Sequence, residues 1–174
     1  MEVEEHIVEE YFRRKGYLTN SNIRLEGNRE IDIIALNREE KRYLHIEVSV
    51  RLGYSFQLVD NAHKFDIFNY PKKKFEDPRV KEYIRGIFGT DDYEKVIVIW
   101  SKTKRDLEEI KEAANKQEIT ILFLEDMLKE LLADLKHDKK NQRDEIIRTL
   151  QLVSRIVEDK ENKGEQISRV DKKL

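Results

Sequence analysis

At 174 residues the chain is long enough for one domain with its own core, and zero cysteines with four scattered histidines exclude disulfides, thiolate metal sites and zinc spacings, so a metal here is expected to be a hard, oxygen-bound ion. Its 34 basic and 36 acidic residues leave a formal net charge of −2, which excludes an overall electrostatic grip on nucleic acid and assigns any such binding to local basic patches; the 40% charged composition with two prolines resembles that of proteins from organisms growing hot. No run approaches the roughly 18 apolar residues of a membrane helix and the start Met1-Glu2-Val3-Glu4-Glu5 is unlike a secretory leader, so a soluble, cytoplasmic protein without a membrane partner is expected.

The first element reads as an amphipathic helix, with Val3, Ile7, Val8, Tyr11, Phe12 and Lys15 at helical spacing, Glu5 at the edge of the buried stripe and Gly16 as a stop. A strand from Tyr17 to Leu25 and a Glu26-Gly27-Asn28 turn follow, and then two β-type runs, Arg29 to Ala35 and Tyr43 to Val50, joined by the polar cluster Asn37 to Arg42. Residues 55–69 read as a helix with Leu58, Ala62 and Phe65 on one side. Pro71 breaks that element, and Lys72 to Pro78 reads as a charged connector whose Lys72-Lys73-Lys74 could track phosphates, as could Arg13 to Lys15 and Lys102 to Arg105. A short helix, Val80 to Phe88, precedes the apolar run Val96 to Trp100, which has the character of a central strand covered on both faces. Thr103 opens a helix with Leu107, Ile110 and Ala114 inward, Ile119 to Leu124 is another strand, and Met127, Leu128, Leu131 and Leu135 mark another helix. The order is therefore α, three strands, α, β, α, β, α, an α/β domain over residues 1–137. Ile146, Leu150, Val153 and Val157 form a narrow stripe on a charged helix over residues 138–159, available for packing or for a second copy, and the tail from 160 reads as disordered.

The informative residues are the carboxylates set between apolar neighbours in the two β-type runs, Asp32 in the first and Glu47 in the second. Burying an ionised carboxylate without a partner costs at least several kcal/mol, so Asp32 and Glu47 must be neutralised, paired or bound to a cation. A symmetric loop centred between Glu39 and Glu40 makes the register sum 79, which sets Asp32 directly opposite Glu47. Opposed residues have Cβ atoms roughly 4.5–5.5 Å apart on one sheet face, where two bare like charges repel and a divalent cation turns the repulsion into binding. The competing reading gives Glu47 an ordinary ion pair with Arg24, Arg51 or Lys64 and leaves Asp32 near a strand end in water. His45 shares parity with Glu47 and could line the same cleft.

An acid on the first helix, an aspartate on the second strand, a glutamate on the third and a following helix with Lys or Gln resemble the PD-(D/E)xK nuclease superfamily. The wording Glu30-Ile31-Asp32-Ile33-Ile34-Ala35 and Glu47-Val48-Ser49-Val50-Arg51, with Tyr11 to Tyr17 ahead of the first strand, is most similar to archaeal Holliday-junction resolvases and related small endonuclease-like domains. The resemblance covers about Glu5 to Phe68. It implies a restriction-endonuclease-like core with a mixed central sheet, and it implies that Asp32, Glu47 and the Val48 carbonyl hold Mg²⁺ or Mn²⁺, with Glu5 reaching the ion directly or through water. The implied reaction is hydrolysis of a phosphodiester, with DNA as the expected partner and a homodimer as the expected assembly. The family's lysine falls at Ser49, which offers neither charge nor amine. Arg51, on the same strand face, and Lys64, on the following helix, are the two candidates to replace it.

Two other function classes compete. A non-catalytic descendant that keeps the fold for nucleic-acid binding or protein assembly is favoured by Ser49 and by the absence of an evident basic stripe. A doubly wound nucleotide-binding domain lacks its Gly-rich phosphate loop, since Gly53, Gly86 and Gly89 do not form one.

Overall fold

A computed structural model describes residues 2–50, 70–100, 107–138 and 144–155. Arg51, the helix expected at 55–69 with Lys64, the helix start at Thr103 and the tail from 160 lie outside the described residues. The chain divides into two compact units, Met1–Met127 and Leu128–Leu174.

The first unit is α/β. It runs α1 (Val3–Arg14), β1 (Leu18–Leu25), β2 (Arg29–Asn37), β3 (Arg42–Ser49), α2 (Tyr70–Phe75), α3 (Pro78–Phe88), β4 (Glu94–Ile99), α4 (Leu107–Asn115), β5 (Ile119–Phe123) and the start of α5 (Leu124–His137). The five strands form one mixed sheet in the order β1-β2-β3-β4-β5. β1, β2 and β3 are antiparallel neighbours because short polar turns join them, whereas β3, β4 and β5 are parallel and need crossovers, which carry α2, α3 and α4. Asn37 fixes the β2–β3 turn by accepting from the Glu39 and Glu40 amides at 3.0 and 3.1 Å.

Strand alternation sorts the side chains onto two layers. On one face Ile97 and Ile99 pack with Phe75 of α2 and with Ile110, Ala113 and Ala114 of α4. Ile34, with Ile23 and Ile31, packs against Val80 and Ile84 of α3. The opposite parity, Leu44, Val96 and Leu122, meets Phe12 and Tyr17 around a depression of about 330 Å³ on the α1 side. Within α1, Ile7, Val8 and Phe12 are buried as the periodicity requires, but Val3 is 54% exposed because it lies in the first turn. Glu9, on no apolar stripe, is buried because its carboxylate accepts from Arg13 and Thr19 at 2.8 and 2.9 Å.

The connector expected after Pro71 is instead helical. Pro71 lies within the described helix α2, so the residues that follow it continue as helix. Pro71 and Phe75, four residues apart, are both buried, and Lys74 rides between them on the inner side. Asp77 then caps α3, accepting from the Arg79 amide at 3.0 Å and from the Arg29 guanidinium of β2 at 2.6 Å.

In the second unit a helix over 145–155, α6, follows α5. Its buried positions are Ile147, Gln151 and Ser154, one residue off the expected stripe at Ile146, Leu150 and Val153, and Val153 is 44% exposed. Polar chemistry decides this rotation. Gln151 donates to the Asp138 carbonyl just past the end of α5 at 3.0 Å, and the Ser154 hydroxyl donates to the Gln151 carbonyl at 2.8 Å.

The β1–β2 ladder contains one irregularity. Ser21 pairs with Ile33 and Ile23 with Ile31, but the intervening rung between Asn22 and Asp32 is missing, and Asn22 adopts a left-handed φ of 54°. Asparagine tolerates that conformation better than most residues that carry a Cβ. Asn22→Gly is therefore expected to leave stability unchanged or slightly raised, while Asn22→Val destabilises by about 1–2 kcal/mol in urea denaturation; equal midpoints for the two variants would show that the backbone there carries no strain.

Candidate functional site

The site is built where the β2–β3 ladder stops. The register, Ile33 with Ile46 through Asn37 with Arg42, has the expected sum of 79, and the next rung would join Asp32 to Glu47. The ladder ends before it. The Val48 amide donates instead to Asp32 Oδ2 at 2.8 Å, so a side chain takes the place of a backbone carbonyl. A residue's N–H and C=O leave a strand toward the same edge, so the Val48 carbonyl faces the Asp32 side as well.

Both carboxylates are withdrawn from water, with Glu47 fully buried and Asp32 7% exposed. Their neutralising partner is Lys74 of α2. Its Nζ stands 2.5 Å from Glu47 Oε2 and 3.4 Å from Asp32 Oδ1. The contact with Glu47 is a close ion pair without the alignment of a well-directed hydrogen bond. The lysine stem is half-buried beside the Tyr70 ring, with Nζ 6.0 Å from the ring centroid. On its other oxygen Glu47 meets His45, whose Nε2 lies 2.8 Å from Oε1.

Burial dominates the electrostatics. It raises the Asp32 carboxyl, with help from the neighbouring Glu47 charge and against Lys74 and the Val48 amide, to about 7. Burial likewise raises Glu47, opposed chiefly by Lys74. Lys74 is raised despite its own desolvation because both carboxylates favour the ammonium form. His45, fully buried, is lowered to about 3 by desolvation and is neutral at ordinary pH.

Glu5 stands on α1. Its carboxylate accepts from the Glu2 amide at 3.0 Å at the start of α1, and burial raises its pKa with Asp32 as a further contributor. Among the described residues no group of three or more His, Cys, Asp or Glu side chains could hold a metal ion. A metal here would rest on Asp32, Glu47 and the Val48 carbonyl, with water completing the shell, a ligand set that suits Mg²⁺. Ser49 sits at the end of β3, 9% exposed, with its hydroxyl lacking a hydrogen-bond partner among the described residues. Lys64 and Arg51 lie outside those residues. Lys74 went unrecognised in the sequence because Pro71 reads as a break; the signal that exposes it is the buried pair Pro71 and Phe75 at helical spacing, which carries the third lysine of the run inward.

No family model matches the chain, and no match was found among curated proteins or solved structures. No helix among the described residues is long and apolar enough to cross a membrane.

The shifts have a defined sign. Asp32 binds its proton more tightly in the folded protein than in the unfolded chain, so its contribution to stability is present below about pH 4 and is lost as pH rises through about 7. His45 acts oppositely, removing stability only as pH falls below its unfolded value of about 6.5. From about pH 6.5 to 7.5 the metal-free protein is therefore expected to lose stability, with a slope of at most about 1.4 kcal/mol per pH unit for one proton, and the slope vanishes at higher pH where Asp32 is ionised in both states. Asp32→Asn should flatten that slope in thermal or urea unfolding, and an unchanged slope would place the titration elsewhere.

Proposed function

We propose that this protein is a metal-dependent nuclease of the restriction-endonuclease-like type, hydrolysing phosphodiester bonds in nucleic acid, with DNA the leading substrate. The observation that carries the reading is the convergence of two buried carboxylates from adjacent strands, Asp32 and Glu47, on one cation position, which the Lys74 ammonium holds at 3.4 and 2.5 Å. Two acids at such a place are a poor device for stability, because burying them costs more than their single lysine returns. They are a good device for binding a small hard cation.

When bound, Mg²⁺ or Mn²⁺ supplies an acidified water and neutralises charge on the scissile phosphate. The remaining work belongs to the chain. Asp32 is oriented by the Val48 amide and Glu47 by His45, so neither carboxylate has to reorganise on binding. Lys74 takes the role of the family's strand lysine absent at Ser49. Displaced from the carboxylates by a divalent ion, its ammonium would supply positive charge to a phosphate oxygen of the substrate. Lys72 and Lys73 on the same helix are exposed and offer positive charge to the flanking backbone phosphates.

Cleavage of duplex, branched or single-stranded DNA, or of RNA, assayed with Mg²⁺ and Mn²⁺ is the test, and chelator should abolish it. Asp32→Asn and Glu47→Gln should remove metal binding and cleavage together. Lys74→Met should lower cleavage by about 10²–10³ while Mn²⁺ binding by calorimetry is kept or tightened, since a competing positive charge is gone. Lack of cleavage of all four substrates by the metal-loaded protein would remove the catalytic reading. A nuclease-fold module without catalysis, which Ser49 favours, would then account for any nucleic-acid binding that persists.

A further inference from the structure

The imidazole of His45 is absent from the ligand set of the proposed metal centre, yet its placement is too constrained to be core filling. It lies two residues from Glu47 on the same strand face and is fully buried. Its ring is held edge-on to Phe75, with centroids 4.6 Å apart at 76°, and tilted against Tyr93 at 6.3 Å. Nε2 is 2.8 Å from Glu47 Oε1, whereas Nδ1 is buried without a hydrogen-bond partner among the described residues. An apolar side chain of similar volume would fill this space without stranding a polar atom. The polar atom that is used, Nε2, is the one facing the carboxylate.

We propose that His45 is a positioning residue that closes one oxygen of Glu47 and leaves the other, Oε2, as the single oxygen presented to the cation. This deepens the metal-centre reading and rests on it. A glutamate has three side-chain torsions and two equivalent oxygens, so without a second contact its carboxylate can rotate or present both oxygens at once. The Nε2–H donated to Oε1 removes that freedom, and Oε2 then points at the place where Lys74 Nζ now stands. The same ring acts a second time through Phe75. Phe75 follows Lys74 directly in α2, so seating Phe75 on His45 also seats the lysine over the carboxylates.

The test compares His45→Gln, whose amide can still donate near the Nε2 position, with His45→Leu, which keeps volume and loses the donor. Mn²⁺ affinity is read by calorimetry on the full chain, and thermal melting confirms that each variant folds. His45→Leu is expected to weaken Mn²⁺ binding by about 10–100-fold and His45→Gln to restore it to within a few-fold of the parent. Equal affinity in the parent and the folded Leu variant, or equal loss in both variants, would overturn the proposal. A metal-independent measurement keeps it separable from the nuclease reading. Nitrogen-15 spectra of the metal-free parent should show His45 as the Nε2–H tautomer and Lys74 as a slowly exchanging ammonium. If the parent shows those signals and binds no Mn²⁺, the metal centre falls while the His45–Glu47 lock stands. If His45 carries its proton on Nδ1, the lock falls whatever the metal does.

Discussion

Two like charges are buried side by side at the end of a sheet, and the rest of the first unit is arranged around making that tolerable. At 4 Å and an effective dielectric near 20, two full carboxylates repel by about 4 kcal/mol, on top of their separate desolvation costs. The structure answers with three contacts. A lysine ammonium stands against both, a backbone amide donates to Asp32, and an imidazole meets Glu47. The upward pull on both carboxyls is what burial, and for Asp32 also the Glu47 charge, leaves uncancelled by these contacts. A divalent ion would cancel it more completely than one ammonium can, and this is the physical basis for reading the pair as a cation site.

The sheet topology explains why the pair sits where it does. Glu47 lies near the C-terminal end of β3, alongside parallel β4, and the ladder to β2 closes one rung short of it. On the far side of β2 the corresponding rung to β1 is missing as well, at Asn22. Asp32 is thus released from cross-strand pairing on both flanks while remaining inside the sheet. Its carboxylate takes a hydrogen bond that an uninterrupted ladder would direct to a carbonyl. The open crevice at the carboxyl ends of parallel strands is where α/β sheets generally receive ligands, and here α2 closes it with a lysine.

The hairpin and its register were legible because alternation and turn chemistry are local signals. Asn37 to Arg42 could only be a turn, the flanking runs could only be strands, and symmetry about Glu39 and Glu40 then forced Asp32 and Glu47 together. The later strands, read at Val96 to Trp100 from its continuous apolar run and at Ile119 to Leu124, were legible locally as well. What failed depended on contacts distant in sequence. Pro71 reads as a stop in the sequence, and only the burial of Phe75 against Ile97, Ile99 and His45 shows why the residues after it are helical. The rotation of α6 by one residue was equally hidden, because it turns on a hydrogen bond from Gln151 to a carbonyl thirteen residues earlier. Glu5 was placed on the helix edge, and there its carboxylate accepts from the Glu2 amide while the Asp32 charge contributes to its raised pKa.

Ser49 and Lys74 are best understood together. Residues 45, 47 and 49 of β3 share one face, so a lysine at 49 would reach into the same space that Lys74 fills from α2. Two ammonium groups there would face one buried glutamate and an aspartate whose carboxyl is already raised to about 7, leaving excess positive charge without water to solvate it. With serine at 49, a single cation balances the pair from the helix side. The difference is mechanical as well as electrostatic. A strand lysine is fixed in register with its glutamate, whereas a lysine on the six-residue α2 moves with that helix, whose seat on the sheet is Phe75 against His45. The position of the charge that neutralises the site is therefore set by aromatic packing rather than by the ladder.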